Sequence, residues 1–283
     1  MVVPRELLSS VVSLGVETPD GFNATGIAYF VSVPATLVPD KLHVYLVTAG
    51  HCVRDRDNLV VRINAAGGGT MIDLVPPGER WLQLADPAAG EEYVDLAAVP
   101  WNPEASSDAG YTAVPLTMIF DQRLVGNVED VGIGIDDKVV AVGVLGVHYA
   151  LEENAAVVRS GSIAMIPREP MLVRYRHGPE LRMRLYLAEF RSGVGLDGAP
   201  VFARPREGPG ADAAGVSLLG TMIGSWDDGD GGSDLGLAKV LPAQLLRDLL
   251  FQESELERRR EAEQRHIDGE DGWFIDAGDG TRG

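Results

Sequence analysis

The stretch "GLDGAPVF", residues 195–202, places one carboxylate between two glycines and follows it with an apolar run. Gly195 and Gly198 are typical of a tight turn, because glycine tolerates backbone conformations that other residues avoid. The run that ends at Phe202 favours a short strand. The pattern predicts a loop that presents Asp197 as its one reactive side chain at the start of that strand.

The rest of the chain alternates short apolar runs with frequent turn residues. Of its 283 residues, 45% are hydrophobic and 23% are charged, and 34 are glycine and 17 are proline. This length allows a sizeable buried core, and so much glycine and proline favours many short strands over long helices. We therefore predict an all-β protein, either a sandwich or a barrel. Apolar alternation marks the candidate strands at residues 8–15, 26–33, 42–48, 58–63, 94–99, 138–147, 156–166, 171–175, 182–188, 199–203 and 216–224.

The C-terminal region departs from the strand pattern. Residues 241–266 carry leucines at helical spacing for about three turns and then almost only charged residues. This predicts a helix that is packed at its start and solvated at its end. Residues 267–283 are rich in Gly and Asp, which predicts a mobile tail. An exposed connection between two strand-rich halves is predicted at residues 101–125.

The end of the chain has two interpretations. Residues 251–283 hold ten acidic residues against five arginines, a net charge of −5. This composition favours a disordered, solubilising tail. Trp273, Phe274 and Ile275 form an apolar cluster flanked by acids, which is typical of a short recognition element that docks in a groove. The sequence leaves both interpretations open.

Charge and cysteine content limit the partners and the compartment. The net charge is −18, which argues against a nucleic-acid partner and against an anionic membrane surface. The N-terminus has no apolar stretch typical of a signal peptide, and nothing later is typical of a spanning helix. Cys52 is the only cysteine, so an internal disulfide has no partner. We expect a cytoplasmic protein whose partner is a protein or peptide.

Two apolar runs each end in or contain a side chain suited to proton transfer. "VYLVTAGHCV" (44–53) runs into His51, and "YVDLAAVPW" (93–101) contains Asp95. A histidine at a strand end is often only structural. A carboxylate within an apolar run, however, must find a hydrogen-bond partner to offset its desolvation, and a buried imidazole N–H is a natural one. The pair predicts a histidine whose tautomer is fixed by Asp95.

These three motifs together resemble those of the trypsin-like (chymotrypsin-fold) serine peptidases. "TAGHC" resembles the histidine signature of that family, "DLAAV" its aspartate signature, and "GLDGAPVF" its serine signature, usually written Gly-Asp-Ser-Gly-Gly-Pro. The chain order of histidine, aspartate and nucleophile loop is also the same. The resemblance implies two antiparallel six-stranded β-barrels with a C-terminal helix and an active site between the barrels.

The resemblance extends over roughly residues 8–252. "TGIAYFVS" (25–32) and "VVRSGSIA" (157–164) are similar to family strands, and "LGLAKVLPAQLLRDLL" (235–250) is similar to the last strand and closing helix. It implies an N-terminal barrel at 1–110 that carries His51 and Asp95. It implies a C-terminal barrel at 111–252 that carries the Gly195–Pro200 loop, followed by a charged helix extension and acidic tail at 253–283.

Three residues depart from the family pattern. Asp197 stands at the nucleophile position, and a carboxylate there would form an anhydride with a peptide carbonyl. Leu196 replaces the aspartate that pairs with a freshly cut N-terminus in secreted trypsins. Cys52 lacks the disulfide partner of secreted relatives, which again suits a reducing compartment.

The resemblance also assigns further site residues. The backbone N–H groups of Gly195 and Asp197 would form the oxyanion hole. Arg191 would form the floor of the specificity pocket and favour an acidic side chain, unless it simply pairs with Glu189 or another nearby carboxylate. "LLGTMIGSW" (218–226), which contains Gly224 and Ser225, is similar to the strand that lines the substrate cleft.

The catalytic residues of the family therefore map to His51, Asp95 and the substituted position Asp197. If Asp197 points at His51, two carboxylates favour the charged imidazole, which would be a poor general base. We predict an inactive homologue that still binds a peptide. The alternatives are a working endopeptidase in a nucleophile-substituted form, and a different nucleophile such as Ser192 or Ser225.

We expect neither a metal nor another cofactor. The run "DDGDGGSD" (227–234) has the oxygen-rich composition of a calcium loop. Its spacing does not match the EF-hand pattern, which favours a solvated turn instead.

Overall fold

The fold is given by a computed structural model. It describes residues 3–56, 58–66, 68–74, 81–83, 92–101, 114–115, 128–144, 153–174, 180–190, 195–206, 215–226, 235–270 and 275–276.

Most elements in the described residues are short strands. The strands are β1 (Val11–Thr18), β2 (Gly21–Pro34), β3 (Lys41–Ala49), β4 (Leu59–Asn64), β5 (Thr70–Leu74), β6 (Leu82–Gln83), β7 (Leu96–Trp101), β8 (Val114–Pro115), β9 (Lys138–Val144), β10 (Ala156–Met165), β11 (Met171–Arg174), β12 (Glu180–Met183), β13 (Tyr186–Phe190), β14 (Pro200–Ala203), β15 (Ser217–Ser225), β16 (Leu237–Pro242) and β17 (Ile275–Asp276). The α-helices are α1 (Arg5–Ser9), α2 (Ala243–Leu250) and α3 (Glu253–Ile267).

The strands form two main units. The first is a sheet in the order β5-β4-β1-β2-β3-β7-β6, to which β8 adds on β2 and β17 adds on β3. The second is a closed barrel in the order β10-β13-β16-β15-β14-β9, and β11 and β12 form a separate hairpin. The all-β prediction is confirmed, and the second unit is the expected six-stranded barrel. In the described residues the first unit is a nine-stranded sheet and not a second six-stranded barrel. The predicted division of the chain at residues 110 and 252 stays a prediction.

One hydrophobic core joins the two units. The strands that line it alternate between buried and less buried residues or are buried throughout, as the apolar runs predicted. Tyr29 of β2 and Thr221 of β15 form a fully buried hydrogen bond of 2.7 Å between their hydroxyl oxygens, which ties the sheet to the barrel. His51, from the first unit, and Asp197, from the second, lie where these two units meet.

The sequence prediction lacks several of the observed strands and joins two others into one. Residues 182–188 were expected to form one strand, but the structure has β12 and β13 separated by Arg184 and Leu185. The two-residue strands β6, β8 and β17 are too short to show an alternation of apolar and polar residues. The predicted connection at 101–125 lies largely outside the described residues, apart from Trp101 and β8.

The C-terminal helix differs from the prediction in two ways. The single helix expected at 241–266 is two helices, because α2 ends at Leu250 and α3 begins at Glu253. The end of that segment is not solvated on every side. One face of α3 is buried through Glu255, Arg259 and Glu263, which are 1%, 5% and 2% exposed. The prediction that charged residues in this helix face water is therefore wrong for that face.

The buried face of α3 is held by hydrogen bonds to β3 and to the loop that precedes it. Glu255 accepts a hydrogen bond of 2.5 Å from the hydroxyl of Tyr45, and Arg259 donates to the same hydroxyl at 2.9 Å. Glu263 accepts from the Nε2–H of His43 at 2.8 Å and from the backbone N–H groups of Thr36 and Leu37 at 3.0 and 2.6 Å. Each buried charge thus has partners that offset its desolvation.

The acid–base state of this contact follows from its partners. Burial alone would raise the pKa of Glu263, but the donors from Leu37, His43 and Thr36 outweigh it and hold the pKa below its usual value. Burial holds the pKa of His43 below its usual value, although Glu263 opposes this shift. A neutral His43 that donates to an ionised Glu263 accounts for the lowered pKa of each residue.

Glu263→Gln tests this contact. The substitution keeps the shape of the side chain but replaces one acceptor oxygen with an amide NH₂ group, so at least one buried donor loses its partner. We expect a loss of about 1 to 3 kcal/mol in the free energy of unfolding, measured by urea denaturation. Glu261→Gln is the matched control, because Glu261 is exposed on the same helix and should change stability little. Equal effects of the two substitutions would contradict the buried contact.

The structure also allows a check for membrane-spanning helices. Within the part of the chain that it describes, no helix is long and apolar enough to cross a bilayer.

Candidate active site

His51 lies at the end of a strand of the first sheet. It follows β3 in a 3₁₀ turn at Gly50–Cys52. The backbone N–H of His51 donates to Asp95 Oδ1 at 2.8 Å, and the backbone N–H of Gly50 donates to the backbone oxygen of Asp95 at 3.0 Å. These two bonds fix the turn against the residue that precedes β7.

Asp95 is fully buried and orients the imidazole. Its Oδ2 lies 2.5 Å from His51 Nδ1, and its side chain has no exposed surface. The hydroxyl of Tyr93 donates a longer hydrogen bond of 3.4 Å to Asp95 Oδ1. The carboxylate therefore holds the Nδ1–H tautomer and turns Nε2 towards the cleft, as the sequence pattern predicted.

The loop that carries Asp197 is bound by both units of the fold. The backbone oxygen of Asp197 accepts from the N–H of Ile27 in β2 at 2.8 Å, and the N–H of Gly198 donates to the backbone oxygen of Met222 in β15 at 2.8 Å. Gly198 has a φ of +89°, and a Cβ there would lie 1.9 Å from the oxygen of Ile27. This position therefore requires glycine.

The side chain of Asp197 points at His51. Its Oδ2 lies 3.1 Å from His51 Nε2, so the imidazole sits between two carboxylates. The side chain of Asp197 is 23% exposed and that of His51 is 10% exposed, whereas Asp95 is fully enclosed. The structure thus brings together the three residues that the sequence singled out, and it leaves the outer carboxylate open to solvent.

This arrangement keeps His51 charged. Burial alone would lower the pKa of His51, but the hydrogen bonds to Asp197 and Asp95 outweigh it and raise the pKa to about 11. The folded pKa is thus above the unfolded value of about 6.5. The stability that His51 contributes is therefore fully present below about pH 6.5 and is lost as the pH rises towards the folded pKa.

A charged His51 donates from both ring nitrogens. Nδ1–H donates to Asp95 and Nε2–H donates to Asp197, so neither nitrogen has a lone pair free to accept a proton. The same occupancy leaves no ring nitrogen to activate Ser225. In this state position 197 has no hydroxyl, and His51 has no free lone pair with which to accept a proton.

The residues next to Asp197 have mainly structural contacts. Leu196 is 6% exposed and packs over Gly143, where a Cβ would meet the Leu196 side chain at 2.4 Å. Cys52 is buried with a free thiol. Gly195 lies in the same turn as Asp197, with a φ of +83°. The oxyanion role of the Gly195 N–H remains a proposal.

The predicted pocket residues fall into two groups. Gly224 and Ser225 lie at the end of β15, and Asp197 Oδ1 is 3.7 Å from the position that a Cβ on Gly224 would occupy. Arg191 and Ser192 lie outside the described residues, as does the acidic run at 227–234. Among the residues that the structure does describe, no cluster of three or more His, Cys, Asp or Glu side chains is arranged to hold a metal ion.

Sequence reasoning missed two residues of this region. Tyr93 lies two residues before Asp95, and its hydroxyl donates to Asp95 Oδ1 at 3.4 Å. Lys239 is 6% exposed in β16, and its Cε lies 3.9 Å from the same Cβ position on Gly224. Lys239 is the one charged residue in the strand "LAKVLP", and this signal could have revealed it.

The fold is chymotrypsin-like, with His51 and Asp95 on the first β unit and the loop that carries Asp197 on the second. Among solved structures, the chain is similar to the MamO protease domain from Magnetospirillum magneticum, with a TM-score of 0.53 and 15% identity over 87% of this chain and 98% of that one. It is also similar to Deg5, with a TM-score of 0.49 and 13% identity over 86% of this chain and 88% of that one. A third is the HtrA-type protease AlgW with decapeptide, with a TM-score of 0.46 and 15% identity over 93% of this chain and 66% of that one.

At 15% identity, the likeness to the MamO protease domain shows the fold alone. Comparison with protein-family models and with curated proteins finds no match to this sequence. The predicted chymotrypsin-like fold is confirmed.

Proposed function

We propose that this protein is a trypsin-like serine endopeptidase homologue that does not hydrolyse peptides as given and instead binds a peptide or protein in its cleft. One observation carries the proposal: Asp197 occupies the nucleophile position and its Oδ2 pairs with His51 Nε2 at 3.1 Å. In an active serine peptidase that nitrogen accepts the proton of the nucleophile.

The absence of hydrolysis follows from the chemistry of the pair. Acyl transfer needs a hydroxyl and a neutral imidazole, and this site has a carboxylate and an imidazolium. Attack by Asp197 on a peptide carbonyl would give an anhydride and would also break the pair of opposite charges that Asp197 forms with His51. We therefore expect the Asp197–His51 ion pair to persist when a peptide enters.

The binding half of the proposal rests on the open side of the site. Asp197 is 23% exposed, and Gly224 and Ser225 beside it are partly exposed. β15 extends past its pairing with β14, which ends at Thr221, and we place the bound peptide along this last part of the strand. Extended peptides bind to strand edges in this way through main-chain hydrogen bonds.

A second candidate is a working endopeptidase in a nucleophile-substituted form. The 2.5 Å contact between His51 Nδ1 and Asp95 Oδ2 favours it, because the pair that activates a serine is intact. The two candidates differ in whether position 197 of the functioning protein carries a hydroxyl.

We also propose that the protein acts in the cytoplasm, without nucleic acid or membrane as partner. Its one cysteine, Cys52, is a buried free thiol, which suits a reducing compartment. The net charge of −18 opposes binding to phosphate-rich surfaces.

The protein as given should neither cleave a peptide library nor react with a fluorophosphonate probe, because no activated hydroxyl is present. Trypsin serves as the positive control for both assays. Stoichiometric labelling at any serine, including Ser192 or Ser225, would contradict the proposal.

Peptide binding is tested separately with end-capped fluorescent hexapeptides. Ser225→Trp should weaken binding by blocking the edge of the cleft, whereas Ser160→Trp should not, because Ser160 is exposed on β10 of the barrel. Binding that is equally affected by both substitutions, or no binding at all, would rule out the cleft as a peptide site.

A further inference from the structure

We propose that the recess beside Gly224 selects a primary carboxamide, the side chain of Gln or Asn, in the bound peptide. Lys239 donates to the carboxamide oxygen and Asp197 Oδ1 accepts from its NH₂ group. This inference rests on the proposed peptide-binding function and specifies which side chain the cleft recognises.

The recess exists because of the backbone of β15. Its pairing with β16 shifts register between Met222 and Ser225, and Gly224 within this bulge has a φ of +127°. A glycine in this conformation leaves no side chain at the point where the strand bows. Ligand atoms can therefore occupy the space that a side chain at position 224 would fill.

Two groups of opposite charge border this space. Asp197 Oδ1 lies 3.7 Å and Lys239 Cε lies 3.9 Å from the Cβ position of Gly224, and these are the described atoms within 4 Å of it other than those of Gly224 and its chain neighbours. The Oδ2 of the same carboxylate is bound to His51, so Oδ1 is the oxygen that faces the recess.

Both groups have bonding capacity for a ligand. Each has further interactions within the protein. An ammonium has three N–H donors, and a carboxylate oxygen accepts more than one hydrogen bond, so internal partners do not exhaust either group. Lys239 is 6% exposed, so water screens its charge little and its electrostatic interaction with a ligand is stronger than at the surface.

The charges of the cleft decide between ligand classes. Of the charged side chains that the structure describes at the recess and the His51 pair, the cations His51 and Lys239 balance the carboxylates Asp95 and Asp197. A ligand side chain with one charge would be attracted by one wall of the recess and repelled by the other. A carboxamide is neutral and carries both an acceptor and a donor, so it satisfies both walls.

The experiment measures binding of capped hexapeptides in which each position is varied in turn. At one position Gln or Asn should bind best, and replacing it with Glu, Lys or Leu should weaken binding about ten-fold, the loss typical of an unpaired charged hydrogen-bonding group. Binding that is indifferent to the side chain at every position would overturn this inference and leave peptide binding intact. Failure of every peptide to bind would overturn both.

Two variants move the preference in opposite directions. Lys239→Met leaves the carboxylate alone at the recess and should shift the preference to Lys. Asp197→Ser leaves the ammonium alone and should shift it to Glu. Lys138→Met, at an exposed position of β9, is the control and should keep the preference for Gln or Asn.

Each variant provides an independent test. If Lys239→Met fails to fold, the shift to Glu in Asp197→Ser still tests the assignment. A preference for Gln or Asn that survives both cleft variants would overturn the assignment.

Discussion

Asp197→Ser should convert a protein that does not react with fluorophosphonates into one that is labelled stoichiometrically at the new serine. The serine Oγ would stand at the place of the Asp197 Cγ, one bond short of the Oδ2 that lies 3.1 Å from His51 Nε2, so a small rotation or shift brings it within hydrogen-bond reach of the ring. Loss of this carboxylate also removes the largest influence that raises the pKa of His51, so the imidazole can lose its proton and act as a base. General base catalysis of this kind contributes about 10² to 10⁴ in rate.

Two control variants separate the causes of this gain. Asp197→Ala removes the carboxylate without adding a hydroxyl and should remain unlabelled. The double variant that adds His51→Gln to Asp197→Ser keeps the hydroxyl but lacks the base, so its labelling should fall to background. Because neutral His51 is the reactive form, the labelling rate of Asp197→Ser should rise with pH. A folded Asp197→Ser protein that stays unlabelled would show that the cleft cannot stabilise the developing oxyanion.

Truncation after Gln252 should lower the melting temperature by roughly 10 °C or more, since several buried hydrogen bonds are lost and each is worth about 1 to 3 kcal/mol. The cut removes Glu255, Arg259 and Glu263 and leaves Tyr45 and His43 without these partners. Differential scanning calorimetry of the full and truncated proteins gives the change directly.

A shorter truncation, after Glu270, is the matched control. It keeps all of α3 and removes β17, which pairs with β3 through Ile275 opposite Leu42. We expect it to cost much less stability than the longer truncation. In hydrogen exchange, the amides of α3 between Glu255 and Glu263 should be slow in the full chain. Fast exchange there, or an unchanged melting temperature after the longer truncation, would contradict the docked helix.

The C-terminal segment was interpreted either as a solubilising tail or as a docked element, and these two results decide between the two interpretations. The buried face of α3 and the pairing of β17 with β3 support docking of residues 253–267 and 275–276. Trp273 and Phe274, on which the recognition element was based, lie outside the described residues. The contact of α3 with the rest of the protein is made instead by charged residues, which the sequence analysis expected to face water.

The sequence predicted the centre of the site for a physical reason. A carboxylate such as Asp95 within an apolar run is costly unless it is paired, so its presence implied a partner, for which a buried imidazole N–H is natural. The resemblance of "TAGHC" to the family's histidine signature pointed to His51. The structure shows this pair at 2.5 Å. The same reasoning applied to Lys239, a lone cation in an apolar strand, would have added it to the cleft.

The role of α3 could not be predicted from periodicity. Its leucine pattern ends with α2, and the residues that bury its inner face are Glu255, Arg259 and Glu263. Their partners, Tyr45 and His43, lie more than 200 residues earlier in the chain. Hydrophobic patterning contains no information about such long-range polar pairs. Two-residue strands such as β6 and β17 are likewise determined by neighbouring strands and not by their own sequence.

The central claim is that His51 is held as an imidazolium between Asp95 and Asp197, and the ¹⁵N NMR titration of its ring tests this most directly. We predict that both ring nitrogens stay protonated up to about pH 9, because the two carboxylates raise the pKa of His51 to about 11. In Asp197→Ser the titration should move to lower pH, since only Asp95 remains to stabilise the charge. A His51 ring in the unaltered protein that loses its proton near its ordinary pKa of about 6.5, or below it, would contradict the account.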